Sequence, residues 1–218
     1  MDITATTTTD PGIKERILAS AIAIFSSQGR GARMEHIAQH AGVNKALVYY
    51  HFQNRETLYK AAFKKQFRIL LGEVEAQLRG NEFPQESCVA SLKILVRSHF
   101  RAVSRHKDCV RFFAGAAADD PELVRTIVSE MTKEGRPPLL KTVLDLIESG
   151  IKNGELRKVN PKQFMISMVS LNLFFFVARP IAETFLDLQI EDEELFLEER
   201  LTSILDLLLY GTVERRSL

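Results

Sequence analysis

Apolar residues recur every three to four positions along most of this 218-residue chain. That period places them on one side of a helix, whereas a strand would repeat every two. The pattern therefore predicts an all-α protein. After a polar tail over residues 1–10, read as disordered, Asp10-Pro11 opens a first helix with Ile17, Ala21, Ile24 and Phe25 inward, ending near Gly29. Met34, Ile37, Ala38 and Ala41 mark a short second helix, and Val48 and Phe52 a short third one. A long fourth helix, capped by Asn54, keeps the period from Ala62 through Phe67, Leu71 and Leu78 to about Arg79, and a loop with Pro84 follows it. A fifth helix covers about Glu86–Arg105, and a sixth about Asp108–Ala117. A seventh opens at Asp120-Pro121, must break at Gly135 and Pro137-Pro138, and resumes to Asn153-Gly154. Asn160-Pro161 starts an eighth, and a ninth runs from about Asp192 to Glu214.

The last two helices are apolar on more than one side, which a helix wet on one face does not need. The eighth carries Met165, Met168, Val169 and Leu173–Val177, and the ninth carries Leu197, Leu201, Ile204, Leu205 and Leu207–Leu209. Such a helix is either central in its own core or covered by a second subunit. Its place at the end of the chain favours the second reading, with Met168, Phe174, Leu201 and Leu208 as candidate dimer contacts.

The stretch from Arg33 to Arg55 carries the chemistry. Gly42 suits the left-handed position that stops a helix, and Asn44 suits the cap of the helix starting at Lys45. With Val48 and Phe52 inward, Lys45, Ala46, Leu47, Tyr50 and His51 point outward, with Tyr49 at the border. Donors and small apolar groups on one outward face fit a helix laid in the DNA major groove. Arg33 stands where a capping oxygen would be useful, and gains reach to a phosphate.

Ile37-Ala38, Ala41-Gly42-Val43, Val48-Tyr49-x-His51-Phe52 and Asn54-Arg55-Glu56-x-Leu58 together resemble the DNA-binding domain of the TetR/AcrR family of bacterial transcriptional regulators. The likeness is close over residues 11–64 and architectural beyond them. One departure is Arg33, where the family usually has Thr or Ser. The resemblance implies a three-helix helix-turn-helix domain over 11–64. It is joined through the shared fourth helix to a ligand-binding and dimerisation domain over 65–218. It implies a homodimer bundled through its last two helices, a palindromic duplex operator, and release by a small-molecule effector. Lys45, Ala46, Leu47 and Tyr50 would then face bases, while Arg33, Tyr49, His51 and Arg55 hold phosphates. The effector cavity would lie among the fourth to eighth helices, collecting Phe67, Leu71, Phe100, Phe113, Phe175 and Arg179. A shared continuous helix can pass movement between the two domains. The expected effector is hydrophobic or amphipathic, and anionic if Arg179 faces inward. Pro180 disfavours helix at Arg179 and should kink the eighth helix there, and Arg179 has a second reading as an ion pair with Glu183 one turn on.

Net charge is only +1, but it is uneven. Residues 1–65 hold nine Lys/Arg against five Asp/Glu, and residues 181–200 hold eight Asp/Glu against Arg200 alone, so one end suits nucleic acid. Cys88 and Cys109 have no metal-like spacing, which suits a reduced cytoplasmic setting. No signal peptide is expected, and Phe164–Val177 is shorter than a bilayer span, so it reads as a buried helix with no membrane partner. His36 and His40, one turn apart, read as solvent-side residues in want of a third ligand, and His99, His106 and Cys109 as a scattered set. No metal or other cofactor is expected. An architectural DNA-binding protein without an effector is one rival. An enzyme is the other, disfavoured because the chain has no Gly-rich phosphate loop, nucleophile elbow or metal motif.

Overall fold

The computed structural model describes residues 11–135 and 137–210, so the tail expected over residues 1–10 and the end of the ninth expected helix lie outside the described residues. Within them the protein is all-α, with ten helices: α1 Pro11–Gln28, α2 Met34–Ala41, α3 Lys45–Phe52, α4 Arg55–Gly80, α5 Cys88–Arg105, α6 Lys107–Asp119, α7 Pro121–Glu134, α8 Pro138–Lys152, α9 Pro161–Phe185 and α10 Glu193–Tyr210. The helix count rises from nine to ten because the break at Gly135 (φ 136°) and Pro137 is complete, separating α7 from α8. The starts read from sequence are built as the residues dictate. Asn54 Oδ1 accepts from Thr57 N at 2.8 Å, Asp120 Oδ1 from Leu123 N at 2.9 Å, and Asn160 Oδ1 from Lys162 N at 3.0 Å. Each satisfies a donor that the first turn of a helix leaves open.

The helices form two compact units, one of residues 11–69 with 111–134, the other of 70–110 with 135–210, so the division falls inside α4 and inside α6. In the first, Ile13, Ile17, Ile37, Val48, Leu58 and Phe63 share a core with Phe112, Ala116, Leu123 and Ile127. Each fully buried Val, Ile, Leu or Phe there contributes roughly 1.5–3 kcal/mol. An aromatic chain threads this core: Phe25–Tyr59 at 4.9 Å, Tyr59–Phe112 at 5.4 Å and Phe63–Phe113 at 4.8 Å between ring centroids. Burial, with Asp119 nearby, pushes the Tyr59 phenol up to about 12. On the rim, Lys60 pairs with Glu130 at 3.1 Å, Lys64 with Glu130 at 3.1 Å and Glu134 at 2.9 Å, and Arg68 with Glu134 at 3.1 Å. Thus α7 and the second half of α6 complete the core of the unit that holds α1–α3.

In the second unit, α5 packs against α8, α9 and α10. Leu92, Val96 and Val103 of α5 are fully buried with Ile147, Met168 and Ile204. α8 approaches α5 closely at Gly150, where an added Cβ would lie 2.5 Å from Cys88 Sγ. The two cysteines are free thiols, raised to about 11 by burial.

α9 extends well past the apolar stretch expected from sequence. By length and composition it could cross a bilayer, with a mean hydropathy of 1.7 over an 18-residue window. Its burial instead follows one stripe, Phe164, Met168, Asn172, Phe175 and Phe176, which enters the core of the unit. Pro180 distorts the helix at Ala178 (φ −106°, ψ 18°), one residue before the expected site at Arg179. The ring removes a donor and crowds the preceding turn, so the strain is absorbed upstream of the proline.

Candidate nucleic-acid interface

The α2–α3 hairpin is determined by four local choices. Met34, Ile37, Ala38 and Ala41 bury one face of α2. Gly42 adopts φ 63°, ψ 37°, and its N–H returns to Gln39 O at 3.1 Å. Val43 packs half-buried in the angle, and Asn44 Oδ1 accepts from Leu47 N at 2.8 Å to start α3. Arg33 gives α2 no side-chain cap. Its carbonyl takes His36 N at 3.1 Å and Ile37 N at 3.3 Å, so the missing oxygen is replaced by backbone. A tight turn joins α3 to α4: Gln53 takes φ 58°, ψ −53°, a conformation that an L side chain adopts at a cost.

With Val48 and Phe52 buried, α3 presents Ala46 and Tyr50 to solvent, Tyr50 at 62% exposure. Arg33 and Arg55 are exposed on either side of the hairpin in sequence, and neither makes an ion pair among the described residues. Three other candidates are more constrained. Leu47 is half-buried against the core of the first unit. His51 is half-buried as well, its Nε2 enclosed without a partner and its ring edge-on to Tyr50 at 5.2 Å. Lys45 pairs with Glu35 of α2 and lies 5.7 Å above the Tyr49 ring. The pair holds the Glu35 carboxyl below its ordinary range and the Lys45 ammonium above it.

Sequence reasoning missed Glu35, the carboxylate on the recognition face, because its partner is ten residues away across the turn. It also missed Arg30 and Lys60. These line a cleft of about 390 Å³ with Asn54, Arg55, Glu56 and Thr57, at the N-terminus of α4. A helix N-terminus with three cations around it attracts phosphate. The signal was present as Gly29-Arg30-Gly31, which reads only as a helix end. Neither Arg30 nor Lys60 is wholly available: Arg30 pairs with Asp120 and, at 3.9 Å, with Glu56, and Lys60 pairs with Glu130 at 3.1 Å and Glu56 at 3.5 Å.

The six effector-site candidates fall into the two units. Phe67 and Phe113 lie 6.2 Å apart in the first. In the second, Phe100 meets Phe176 at 5.7 Å, Phe175 meets Phe176 at 5.7 Å and Phe196 at 5.0 Å, and Arg179 covers the Phe175 ring at 5.7 Å. Leu71 is half-buried. Arg179 donates to Glu183 at 2.7 Å and Glu193 at 2.9 Å, so the ion-pair reading of this residue holds. Of the four dimer candidates only Phe174 points outward, at 61% exposure. Met168, Leu201 and Leu208 are buried in the core of their own unit. His36 and His40 are exposed, and no group of three His, Cys, Asp or Glu side chains arranged for a metal occurs among the described residues.

Residues 17–62 match the family described as bacterial regulatory proteins, tetR family, and residues 89–208 match the tetracyclin repressor-like C-terminal domain. The HTH-type transcriptional regulator RutR of Escherichia coli K12 is 26% identical over 195 residues, covering 84% of this chain and 82% of RutR. The HTH-type transcriptional repressor NicS of Pseudomonas putida is 25% identical over 206 residues, 91% of each chain. Among solved structures, the TetR family transcriptional regulator PfmR of Thermus thermophilus superposes with a TM-score of 0.63 at 18% identity, over 92% of this chain and all of PfmR.

Proposed function

This chain belongs to the tetR family of bacterial regulatory proteins, and from that premise we propose that it is a cytoplasmic repressor that holds a palindromic operator as a homodimer and releases it on binding a small apolar-bodied effector. The family assignment makes it a DNA-binding, ligand-responsive transcription regulator and not an enzyme. The repressor sense is carried over from NicS, which is named a repressor. The observation that carries the DNA reading is α3: an Asn44-capped helix, anchored by Val48 and Phe52, that leaves Ala46 and Tyr50 free to meet base edges. Arg33 and Arg55 supply phosphate contacts, with Tyr49 beside them, and the cleft at the start of α4 supplies another.

The dimer is supported by the outer side of α9. Ile166, Phe174, Val177 and Ile181 are exposed at helical spacing, opposite the stripe that fills the core of the unit. An apolar row of this length is costly in water and is covered well by a second copy of itself. For the effector, the aromatic group of Phe100, Phe175 and Phe196 supports an apolar body. With its cation engaged by two carboxylates, Arg179 is no longer the reason to expect an anion.

Selection from random-sequence duplexes, followed by footprinting, tests the central reading. The expected product is a palindrome whose half-sites lie about one helical turn apart, roughly 34–36 Å between recognition helices. Equal affinity for the selected duplex and its scrambled counterpart in moderate salt would refute it.

A further inference from the structure

Two cations of the cleft at the start of α4 are already neutralised, and both are neutralised from the same element. Arg30, in the turn between α1 and α2, pairs with Asp120, and Lys60 pairs with Glu130 at 3.1 Å. Asp120 is the cap of α7, its Oδ1 accepting from Leu123 N at 2.9 Å, and Glu130 stands on the same helix. Glu56 of α4 reaches both cations as well, at 3.5 Å from Lys60 and at 3.9 Å from Arg30. Lys60 therefore keeps a partner on its own helix whatever α7 does, whereas Arg30 depends mainly on Asp120. The side chains of this pair are only 32% and 27% exposed, so water screens it less than it would a loose surface pair.

The contact is built into the first unit. A Cβ added at Gly29 would lie 3.3 Å from Asp119 Oδ2, so the corner between α6 and α7 rests on the Gly29-Arg30 turn, and Asp120 reaches Arg30 from there. Leu123 and Ile127 fix α7 in the core shared with α2 and α3. A phosphate entering the cleft needs the same guanidinium that Asp120 holds, since both present anionic oxygens to its planar fork. Two anions on one half-buried cation repel each other, so the phosphate enters by exchange. Arg55 lines the same cleft without an ion pair among the described residues, so it meets no such competitor.

We propose that Asp120 is an internal competitor for operator phosphate: it holds Arg30 in the DNA-free protein, and Arg30 passes from Asp120 to a phosphate when the operator binds. This inference rests on the reading of the α4 cleft as a phosphate site and names what regulates it. The exchange is reciprocal. An operator that takes Arg30 loosens the hold on the start of α7, and anything that draws α7 away frees Arg30 for DNA. The chain gives α7 two such handles, because α6 before it begins in the second unit and the chain returns to that unit after Glu134.

Asp120→Asn removes the charge and keeps an oxygen to cap α7. The full-length wild type, Asp120→Asn, Arg30→Gln and the double variant are compared on the selected operator by fluorescence anisotropy, with helical content checked by circular dichroism. Asp120→Asn is expected to bind about 2- to 30-fold tighter, because one such pair is released in each protomer of the dimer. That gain is expected to vanish in the Arg30→Gln background, since no cation is left there to release. The same gain in both backgrounds overturns the proposal, because it would report only a carboxylate removed from the neighbourhood of DNA. No gain, or weaker binding by a folded Asp120→Asn, overturns it too. If Asp120→Asn does not fold, a crystal structure of the wild-type complex decides: Arg30 on a phosphate and parted from Asp120 is expected, and Arg30 still on Asp120 refutes the exchange. Each of these failures leaves specific binding in place, whereas equal affinity for the selected and scrambled duplexes removes the operator reading itself.

Discussion

The electrostatic arrangement of the recognition face can be tested by its salt dependence. Arg33 and Arg55 are exposed and without an ion pair among the described residues, so each is available for one phosphate per protomer. Lys45 is not, because Glu35 of α2 already compensates it. Each phosphate neutralised steepens the fall of log affinity with log salt by about 0.9, so removing one such cation from both protomers of a dimer flattens the slope by about 1.8. Arg33→Gln and Arg55→Gln should each do this. Glu35→Gln should do the reverse, since it removes a carboxylate from the DNA face and releases Lys45 to a phosphate. Between 50 and 200 mM salt a slope change of that size alters the fall in affinity by about 12-fold. Fluorescence anisotropy of a labelled operator at five or six salt concentrations measures all four proteins directly. If Glu35→Gln gives a line parallel to wild type, the carboxylate does not mask Lys45. If Arg33→Gln and Arg55→Gln are also parallel, the phosphate contacts are elsewhere.

Phe174→Glu should give a folded monomer by sedimentation, with DNA affinity reduced accordingly, whereas Leu201→Glu, at a position 2% exposed within its own unit, should lose helical signal; the same folded monomer from both would contradict the division of α9 and α10 into inner and outer sides. Gly150→Ala should destabilise by roughly 1–3 kcal/mol through overpacking, because the new Cβ meets Cys88 Sγ at 2.5 Å and Leu156 Cδ1 at 3.0 Å, and a raised melting temperature would refute that packing. His99 titrates near 6.5 when unfolded and near 4 when folded, so the unfolded state binds the extra proton between them. Stability from this group is complete above pH 6.5 and falls by roughly 3 kcal/mol as pH drops through that window, with no such fall in His99→Gln.

What the sequence makes legible is what local chemistry decides. Gly42, Asn44, Asn54, Asp120 and Asn160 each specify a turn or a helix start within four residues, and each stands where its side chain predicts. Neighbours that come together from far apart are not legible in the same way. The stripe of Leu123 and Ile127 shows that α7 has an inner face, but not that this face joins the core of Ile37 and Val48. Lys60, Lys64 and Arg68 likewise give no sign that Glu130 and Glu134, some 70 positions on, are their partners. The turn at Gln53 was hidden for a different reason. A positive φ is usually announced by glycine, and here the fold imposes it on a residue that does not prefer it.

α9 is the instructive failure. Ranked by hydrophobicity, Phe174 and Ile181 belong inside and Asn172 outside, and the structure has the opposite. A helix apolar on two sides needs a partner for each, and periodicity does not record which side meets the core of its own chain. It also explains why Met168, Leu201 and Leu208 were expected at the interface when they are already covered. An exposed Phe174 adds nothing to a monomer, so its position is not explained by the stability of one chain. Local rules give way where function sets the requirement. In the proposed dimer, the outer side of α9 meets a second copy of the chain through Ile166, Phe174, Val177 and Ile181.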